Sequence, residues 1–292
     1  MSQVGFIGLG NMGAPMLGNL TGSGVRTLAL DLDRERMAMV AGETGAARAR
    51  SAADFAEVEA IVTMLPTSEA VSSALFDWDD GIVGHLRPGA VVIDMSSADP
   101  TQTVRLGERL RARGLNMVDA PVSGAVAKAT AGTLAVMMGA DNEAAAEKAV
   151  PIVETMSATI FRTGALGTGH AMKALNNFVA GAATTAACEA LIAGERFGLA
   201  PETMVEILNA STGQSFVTSN VLNEHVVRRN FASGFGLALY AKDVRIARSL
   251  TRAIHHPAPV CEAVSDTFDA ALAELGNVDH TRAYEYWAEQ RS

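Results

Sequence analysis

The sequence predicts an α/β fold that gives way to helices alone, and three observations carry that prediction. Up to about Thr163, short runs rich in Val, Ile and Leu alternate with helical patterns, as in a sheet wound from strand–helix units. Beyond that point the strand pattern disappears, and helical patterns punctuated by Gly213, Gly234, Pro257 and Gly276 remain. Between the two stands Gly164-Ala165-Leu166-Gly167-Thr168-Gly169-His170-Ala171-Met172-Lys173-Ala174-Leu175-Asn176-Asn177, where glycines interrupt the chain before a long run of small residues with helical spacing to about Gly198. The expected division is a sheet domain over 1–164 and an all-α domain over 165–292, joined by that long helix.

Composition bounds the function before any motif is read. The chain has 292 residues, of which 49% are hydrophobic, enough for a substantial core and too many for a disordered chain. A net charge of −9 argues against a nucleic-acid or anionic-membrane surface. The two cysteines, Cys188 and Cys261, have no metal-type spacing and suit a reduced compartment. The first residues enter a strand pattern with no basic leader, and Lys173, Asn176, Asn177 and Glu189 interrupt the small-residue helix. A cytoplasmic protein without membrane or nucleic-acid partners is the expectation.

The first domain can be justified element by element. Val4 to Gly8 is a buried strand, and Gly8-Leu9-Gly10-Asn11-Met12-Gly13 opens a helix carried on by Leu17 and Leu20 and closed by Gly22 and Gly24. Val25 to Leu30 is the second strand, with Asp31 at its end. GxGxxG alone is a weak signal in a chain with 27 glycines. Between a strand and a helix, with an acid closing the next strand, it specifies a Rossmann-type dinucleotide site. The glycines allow a tight turn and close approach of a pyrophosphate to the helix N-terminus. Asp31 would accept hydrogen bonds from an adenosine ribose and repel a 2′-phosphate, favouring NAD. Arg34, three residues on, could pair with that phosphate and keeps NADP open.

The alternation continues with a helical stretch over 52–58 and a strand over 60–65 stopped by Pro66. Ser68 and Glu69 open a helix, Arg87-Pro88-Gly89 is a turn, and a strand over 90–95 ends at Ser96-Ser97. Asp99 caps a helix over 101–113 with Pro100 at its first position. Strands follow over 116–120, 134–138 and 159–162, the last two flanking a helix over 142–152. Helices are expected over 201–209, 220–228, 237–252, 259–275 and 280–290.

Polar residues at element ends supply the chemistry. Asp119-Ala120-Pro121-Val122-Ser123-Gly124 leaves a strand, and Ser123-Gly124 offers a hydroxyl and an open N–H that suit a carboxylate; an ordinary Ser-Gly turn is the other reading. On the long helix Lys173 and Asn177 share a face one turn apart, an ammonium and a carboxamide suited to a reacting centre, where the plainer reading is a solvated lysine. His170 reads best as a packing or capping residue, and Lys242-Asp243, as a solvated pair on a helix, would mean little. His255-His256 have no convergent ligands, so no metal is expected.

Together these residues resemble the β-hydroxyacid dehydrogenase family, the group around 3-hydroxyisobutyrate dehydrogenase. Four motifs carry the resemblance in order: Gly8 through Met16; Asp119 through Gly124 with Gly132-Thr133-Leu134; Gly164 through Lys173 to Asn177; and Lys242-Asp243. It implies a Rossmann-type dinucleotide-binding domain joined by a long helix to an all-α substrate and oligomerisation domain, in a homodimer or homotetramer. It places the catalytic lysine on Lys173, the substrate contacts on Ser123, Gly124, Asn177 and Lys242, and the cofactor contacts on Gly8, Leu9, Gly10, Asn11, Met12, Gly13, Asp31, Leu65, Pro66, Ser96 and Lys242. The implied reaction is hydride transfer between a small 3-hydroxyacid and NAD, with NADP the second choice and Lys173 as general acid and base. The substrate would be a small carboxylate such as 3-hydroxyisobutyrate, a β-hydroxy amino acid, threonate or a glycerate-like acid.

Departures are informative. Where the family often has a second glycine after Ser-Gly, this chain has Ala125, and Lys128 adds a charge to the same loop. The chain lacks the extra length of 6-phosphogluconate dehydrogenases, and Lys173 argues against imine reduction, where the lysine is usually replaced. An imine reductase on the same scaffold and a non-catalytic NAD-binding reader are the competing readings.

Overall fold

The computed structural model describes residues 3–290. The chain divides into two compact units, one ending at Lys173 and the other beginning at Ala174.

The first unit is the expected α/β domain. Its strands are β1 (Gln3–Ile7), β2 (Arg26–Leu30), β3 (Ala47–Arg48), β4 (Val58–Thr63), β5 (Val91–Asp94), β6 (Asn116–Asp119), β7 (Val122–Ser123), β8 (Leu134–Ala140) and β9 (Ser157–Gly164). Among the described residues they form one nine-stranded sheet in the order β3-β2-β1-β4-β5-β6-β8-β7, with β9 beside β8. β1 runs parallel to β2 and β4, and β4, β5 and β6 continue the parallel run. β8 then turns antiparallel to β6.

Side chains alternate across the strands and sort into two cores. Val4, Phe6, Ala60, Val62, Val91 and Ile93 face one way, against α1 (Gly13–Gly22) and α6 (Glu143–Val153). Leu28, Leu30, Ile61, Val92 and Met117 face the other, against α3 (Ser68–Phe76) and α4 (Pro100–Arg111). Both faces are covered, so the central strands read as continuous apolar runs. The expected strand and helix positions hold to within a few residues, and the Asp99 carboxylate caps α4 as anticipated, accepting from Thr101 N and Gln102 N.

Some elements carry no strong pattern in the sequence. α2 (Arg34–Thr44) is capped by Asp33 but buries only Val40 and Ala41, so it has almost no apolar stripe. β3, β7 and α5 (Ala125–Thr130) are too short for any periodicity. The stretch expected as a helix over 52–58 is a 3₁₀ helix, Ala52–Glu57, and β4 begins directly after it at Val58.

α7 (Thr168–Phe197) is the long helix, and the division between units falls within it. The second unit is all-α: α8 (Pro201–Asn209), α9 (Leu237–Ala253), α10 (Pro259–Leu275) and α11 (Ala283–Glu289) accompany the rest of α7. The helix expected over 220–228 is a π-helix, Thr218–Val227, and the last expected helix begins as a 3₁₀ turn, His280–Arg282. Phe268 and Tyr240 centre one core of this unit; Leu191, Leu222 and Tyr284 lie in another. Cys188 and Cys261 are buried free thiols, and burial pushes the Cys188 thiol up to about 12. Among the described residues no helix is long and apolar enough to cross a membrane.

Candidate active site

The glycine loop is built so that side chains are excluded where backbone must pass. Gly8 has φ 98°, and a Cβ there would lie 2.3 Å from Met64 O. At Gly13 a Cβ would lie 1.9 Å from Gly8 O, which leaves glycine as the residue that lets α1 close on the loop. At Gly10 a Cβ would meet nothing within 4 Å, so the loop tip is open. Met12 stands at the N-cap of α1 without a capping side-chain bond, and no acidic residue occupies the first turn. An open glycine before an uncapped helix N-terminus fits the diphosphate of a dinucleotide.

Asp31 is tied into this loop. Its Oδ2 accepts from Leu9 N at 2.7 Å, and its Oδ1 accepts from Asp33 N at 2.9 Å. A carboxylate has about four acceptor positions, so these bonds orient the acid and leave capacity for a ribose diol. At the neighbouring strand ends Leu65 N donates to Ser96 Oγ at 2.9 Å. Ser96 is fully buried, and its own N–H donates to Asp94 Oδ1, which also accepts from Thr63 Oγ1. Ser96 therefore supports the backbone at Leu65 from within, while Pro66 beside it is exposed.

Asp119 joins two of the sequence motifs. It ends β6, and its carboxylate accepts from Gly167 N and His170 N, both at 2.8 Å. Each such charge-assisted bond is worth about 1.5–3 kcal/mol. The approach is close enough to require glycine: a Cβ at Gly169 would lie 2.8 Å from Asp119 Oδ2, and one at Gly139 2.5 Å from Oδ1. Burial raises the Asp119 carboxyl above its ordinary range, against the opposing pull of His170 and the two backbone N–H groups. Because Asp119 holds the start of α7, the strand end leading to Ser123 and the helix turn leading to Lys173 meet at one place. Ser123 and Lys173 are both half-buried.

After Ser123 the backbone is unusual. Gly124 has φ 142°, and Ala125 adopts φ 55°, in the left-handed region that favours glycine. A Cβ at Gly124 would lie 2.7 Å from Lys128 Cβ, so Lys128 packs over this turn.

In the second unit Asp243 organises the remaining polar residues. Asn177 Nδ2 donates to Asp243 Oδ2 at 2.6 Å, and Lys242 Nζ lies 3.1 Å from Asp243 Oδ1, an ion pair without hydrogen-bond alignment. Asp243 is 4% exposed, so Lys242-Asp243 is not the solvated pair that helix position alone suggests. Donating through Nδ2 turns the Asn177 carbonyl oxygen away from Asp243, toward Asn176 Nδ2 at 3.2 Å. Nearby on α9, burial pushes the Tyr240 phenol up to about 12.

His170 is buried, in keeping with its reading as a packing residue, while the anchoring positions of Asp119 in the first unit and Asp243 in the second were not read from the sequence. Their signal was adjacency alone: Asp119 opens the Ser-Gly motif, and Asp243 follows Lys242. His255 and His256 lie in an exposed loop, and no three His, Cys, Asp or Glu among the described residues gather as a metal site.

Comparison with known proteins agrees with this architecture. The family model described as the NAD binding domain of 6-phosphogluconate dehydrogenase matches residues 3–164. The one described as NAD-binding of NADP-dependent 3-hydroxyisobutyrate dehydrogenase matches residues 167–287. The 2-(hydroxymethyl)glutarate dehydrogenase of Eubacterium barkeri is 34% identical, over 98% of this chain and 94% of its own. The NAD-dependent L-serine dehydrogenase of Pseudomonas aeruginosa is 37% identical, over 89% of each. The structure of Mycobacterium tuberculosis 3-hydroxyisobutyrate dehydrogenase with L-serine superimposes with a TM-score of 0.88 at 31% identity, covering 98% of this chain and 99% of that one. With both halves matched and the glycine loop in place, the chain belongs to the β-hydroxyacid dehydrogenase family, NAD(P)-dependent oxidoreductases that act on the CH–OH of a hydroxyacid.

Proposed function

We propose that this enzyme oxidises the hydroxymethyl group of a small carboxylate of the form HOCH₂–CHR–COO⁻, with Lys173 as its general base. The supporting observation is the Asp119 tether, which brings the Ser123 loop and the Lys173 turn to the same strand end. The relatives named for 2-(hydroxymethyl)glutarate, L-serine and 3-hydroxyisobutyrate share that skeleton and differ in R, which makes it the common denominator for a substrate.

In this reading the Ser123 hydroxyl and Gly124 N–H hold the carboxylate. With the carboxylate fixed, the carbinol carbon has one orientation, and this positioning is itself a large part of catalysis. Lys173 in its neutral form takes the hydroxyl proton; in the reverse direction its ammonium returns that proton to the carbonyl oxygen. Asn177, its carboxamide set by Asp243, orients the lysine or the substrate oxygen, and Lys242 supplies a second positive charge for nicotinamide and substrate. The dinucleotide, when bound, supplies the hydride acceptor. Gly8, Leu9, Gly10, Asn11, Met12 and Gly13 hold its diphosphate, Asp31 its ribose, and Leu65, Pro66 and the underlying Ser96 form the crevice wall. Asp31 favours NAD over NADP by repulsion of a 2′-phosphate.

The experiment is NAD⁺ reduction followed by absorbance across L-serine, 3-hydroxyisobutyrate, 2-(hydroxymethyl)glutarate, threonate and glycerate, with NADP⁺ and Lys173→Ala alongside. Turnover of one of the four hydroxymethyl acids, reduced about 10²–10⁴-fold in the variant, is the expected outcome, and turnover of threonate alone, whose C3 carbinol is secondary, would overturn the hydroxymethyl assignment. Dinucleotide binding without turnover of any acid would overturn the substrate class, and turnover retained by Lys173→Ala would overturn the role of the lysine. The second unit exposes Val179, Phe197 and Phe216, which supports assembly into a homodimer or homotetramer, read by light scattering.

A further inference from the structure

His170 is a buried polar residue that the reaction as described does not use. Its side chain is 0% exposed. Nε2 lies 3.1 Å from Ser96 O, and since a carbonyl only accepts, Nε2 must carry a proton and donate. Nδ1 lies 2.8 Å from Thr103 Oγ1, on α4, and that hydroxyl also reaches Asp99 O at 3.0 Å. The backbone N–H of the same residue donates to Asp119 Oδ2. The carboxylates of Asp94 and Asp119 flank the ring, each 3.8 Å from one of its nitrogens.

One residue thus fastens the first turn of α7 to the segment after β5, to α4 and to the end of β6. The same Ser96 that accepts from His170 through its carbonyl accepts from Leu65 N through its hydroxyl. A continuous hydrogen-bonded path therefore runs from the crevice wall at Leu65, through Ser96 and the imidazole, to the helix that carries Lys173. An apolar side chain could fill the volume without desolvating a ring nitrogen. What the imidazole adds is direction: its two ring bonds, to Ser96 O and Thr103 Oγ1, join the backbone bond to Asp119 and fix both the rotation and the axial position of the helix start.

We propose that His170 is a positioning residue that sets the place of the Lys173 amine against the dinucleotide crevice. The inference rests on Lys173 being the acid–base residue. It acts through geometry, since a displacement of about 1 Å at a reacting group can cost on the order of 10²-fold in rate.

The test compares wild type, His170→Phe, His170→Gln, Lys173→Ala and the double variant His170→Phe/Lys173→Ala, using the acid turned over fastest in the panel above. Amide hydrogen exchange over residues 165–175 is measured in parallel. In His170→Phe, kcat should fall about 10²-fold while KM for NAD⁺ stays near wild type, and exchange at the helix start should quicken. Glutamine, which offers one donor and one acceptor, should recover part of kcat; it also keeps the test alive should the phenylalanine chain fail to fold. Because the effect runs through Lys173, the double variant should be no slower than Lys173→Ala alone. Wild-type kcat in His170→Phe, or losses that multiply in the double variant, would overturn the proposal. If Lys173→Ala itself keeps wild-type kcat, the lysine assignment fails, and unchanged exchange at residues 165–175 would sink the clamp separately.

Discussion

In the first unit the carboxylates that shape the site are held by backbone. Asp31 accepts from Leu9 N and Asp33 N, and Asp119 from Gly167 N and His170 N. In the second unit Asp243 is held by side chains, with Asn177 on α7 and Lys242 beside it on α9. Backbone donors stand at positions fixed by the chain path, so a site built on them needs glycines at set spacings and tolerates little displacement. Side-chain donors on helices need only that the helices pack, and Asn177 and Asp243 meet across a long sequence separation with no local signature. The first arrangement is rigid and legible in the sequence; the second depends on packing and is hidden there.

The sharpest way to break this contrast is in the glycine loop. Gly13→Ala places a methyl carbon 1.9 Å from Gly8 O, and backbone rather than a flexible side chain must move. We expect loss of measurable dinucleotide binding by calorimetry and destabilisation beyond about 4 kcal/mol, the range reserved for strain of this kind. Gly10→Ala meets no atom within 4 Å and should fold to within about 1 kcal/mol of wild type. Its NAD⁺ affinity should still fall about tenfold or more, because the methyl stands where the backbone approaches the diphosphate. Equal behaviour of the two variants would mean that the loop glycines serve packing alone.

The same contrast explains what could be read in advance. The strand–GxGxxG–helix–strand–acid order places the cofactor loop from spacing alone, and the loss of strand patterns after Gly164 marks the helical half. α2 escaped notice because only Val40 and Ala41 are buried, so no apolar stripe marks it. Ser96 was expected as a cofactor contact; the structure adds that it is buried and that its hydroxyl accepts from Leu65 N, a bond that no spacing encodes. Asp119 and Asp243 were visible only as members of motifs. Their partners lie far away along the chain, and a carboxylate does not announce which N–H it will accept.

Asp243 tests the side-chain arrangement. Asp243→Ala removes the acceptor of the Asn177 carboxamide and one ion pair of Lys242. Lys242 is 19% exposed, so water offsets part of that loss, and we expect a stability cost of about 1–3 kcal/mol. Freed of its anchor, Asn177 should lower kcat/KM about tenfold, by loss of orientation. Asp243→Asn keeps an acceptor for Asn177 and should fall between the two. Denaturant melts together with kcat/KM measure both effects. A variant that keeps full activity at reduced stability would show that Asp243 holds the helices and has no part in orienting Asn177.

The smallest effect is a pH dependence confined to the second unit. His280 is buried against Phe235 and Tyr240, with Nδ1 3.2 Å from Phe235 O. Burial lowers its pKa from 6.5, opposed by the bond to Phe235 and by Asp279. As pH falls below about 6.5 the unfolded chain takes up a proton that the folded chain resists. The unfolded state then binds more protons, so His280 stabilises least at acid pH and its contribution is restored as pH rises through about 6.5. Asp279, which burial pushes up but which the bonds from Thr281, Ser233 and Gly234 together hold below its ordinary value, loses stability only at lower pH. The raised Asp119 acts with the opposite sign, and both are present in either protein. His280→Asn keeps a donor for Phe235 O and removes the titration. Its loss of unfolding free energy between pH 7 and pH 5 should therefore be smaller than that of wild type. Parallel profiles over that interval would mean that His280 protonates in place without disturbing the core around it.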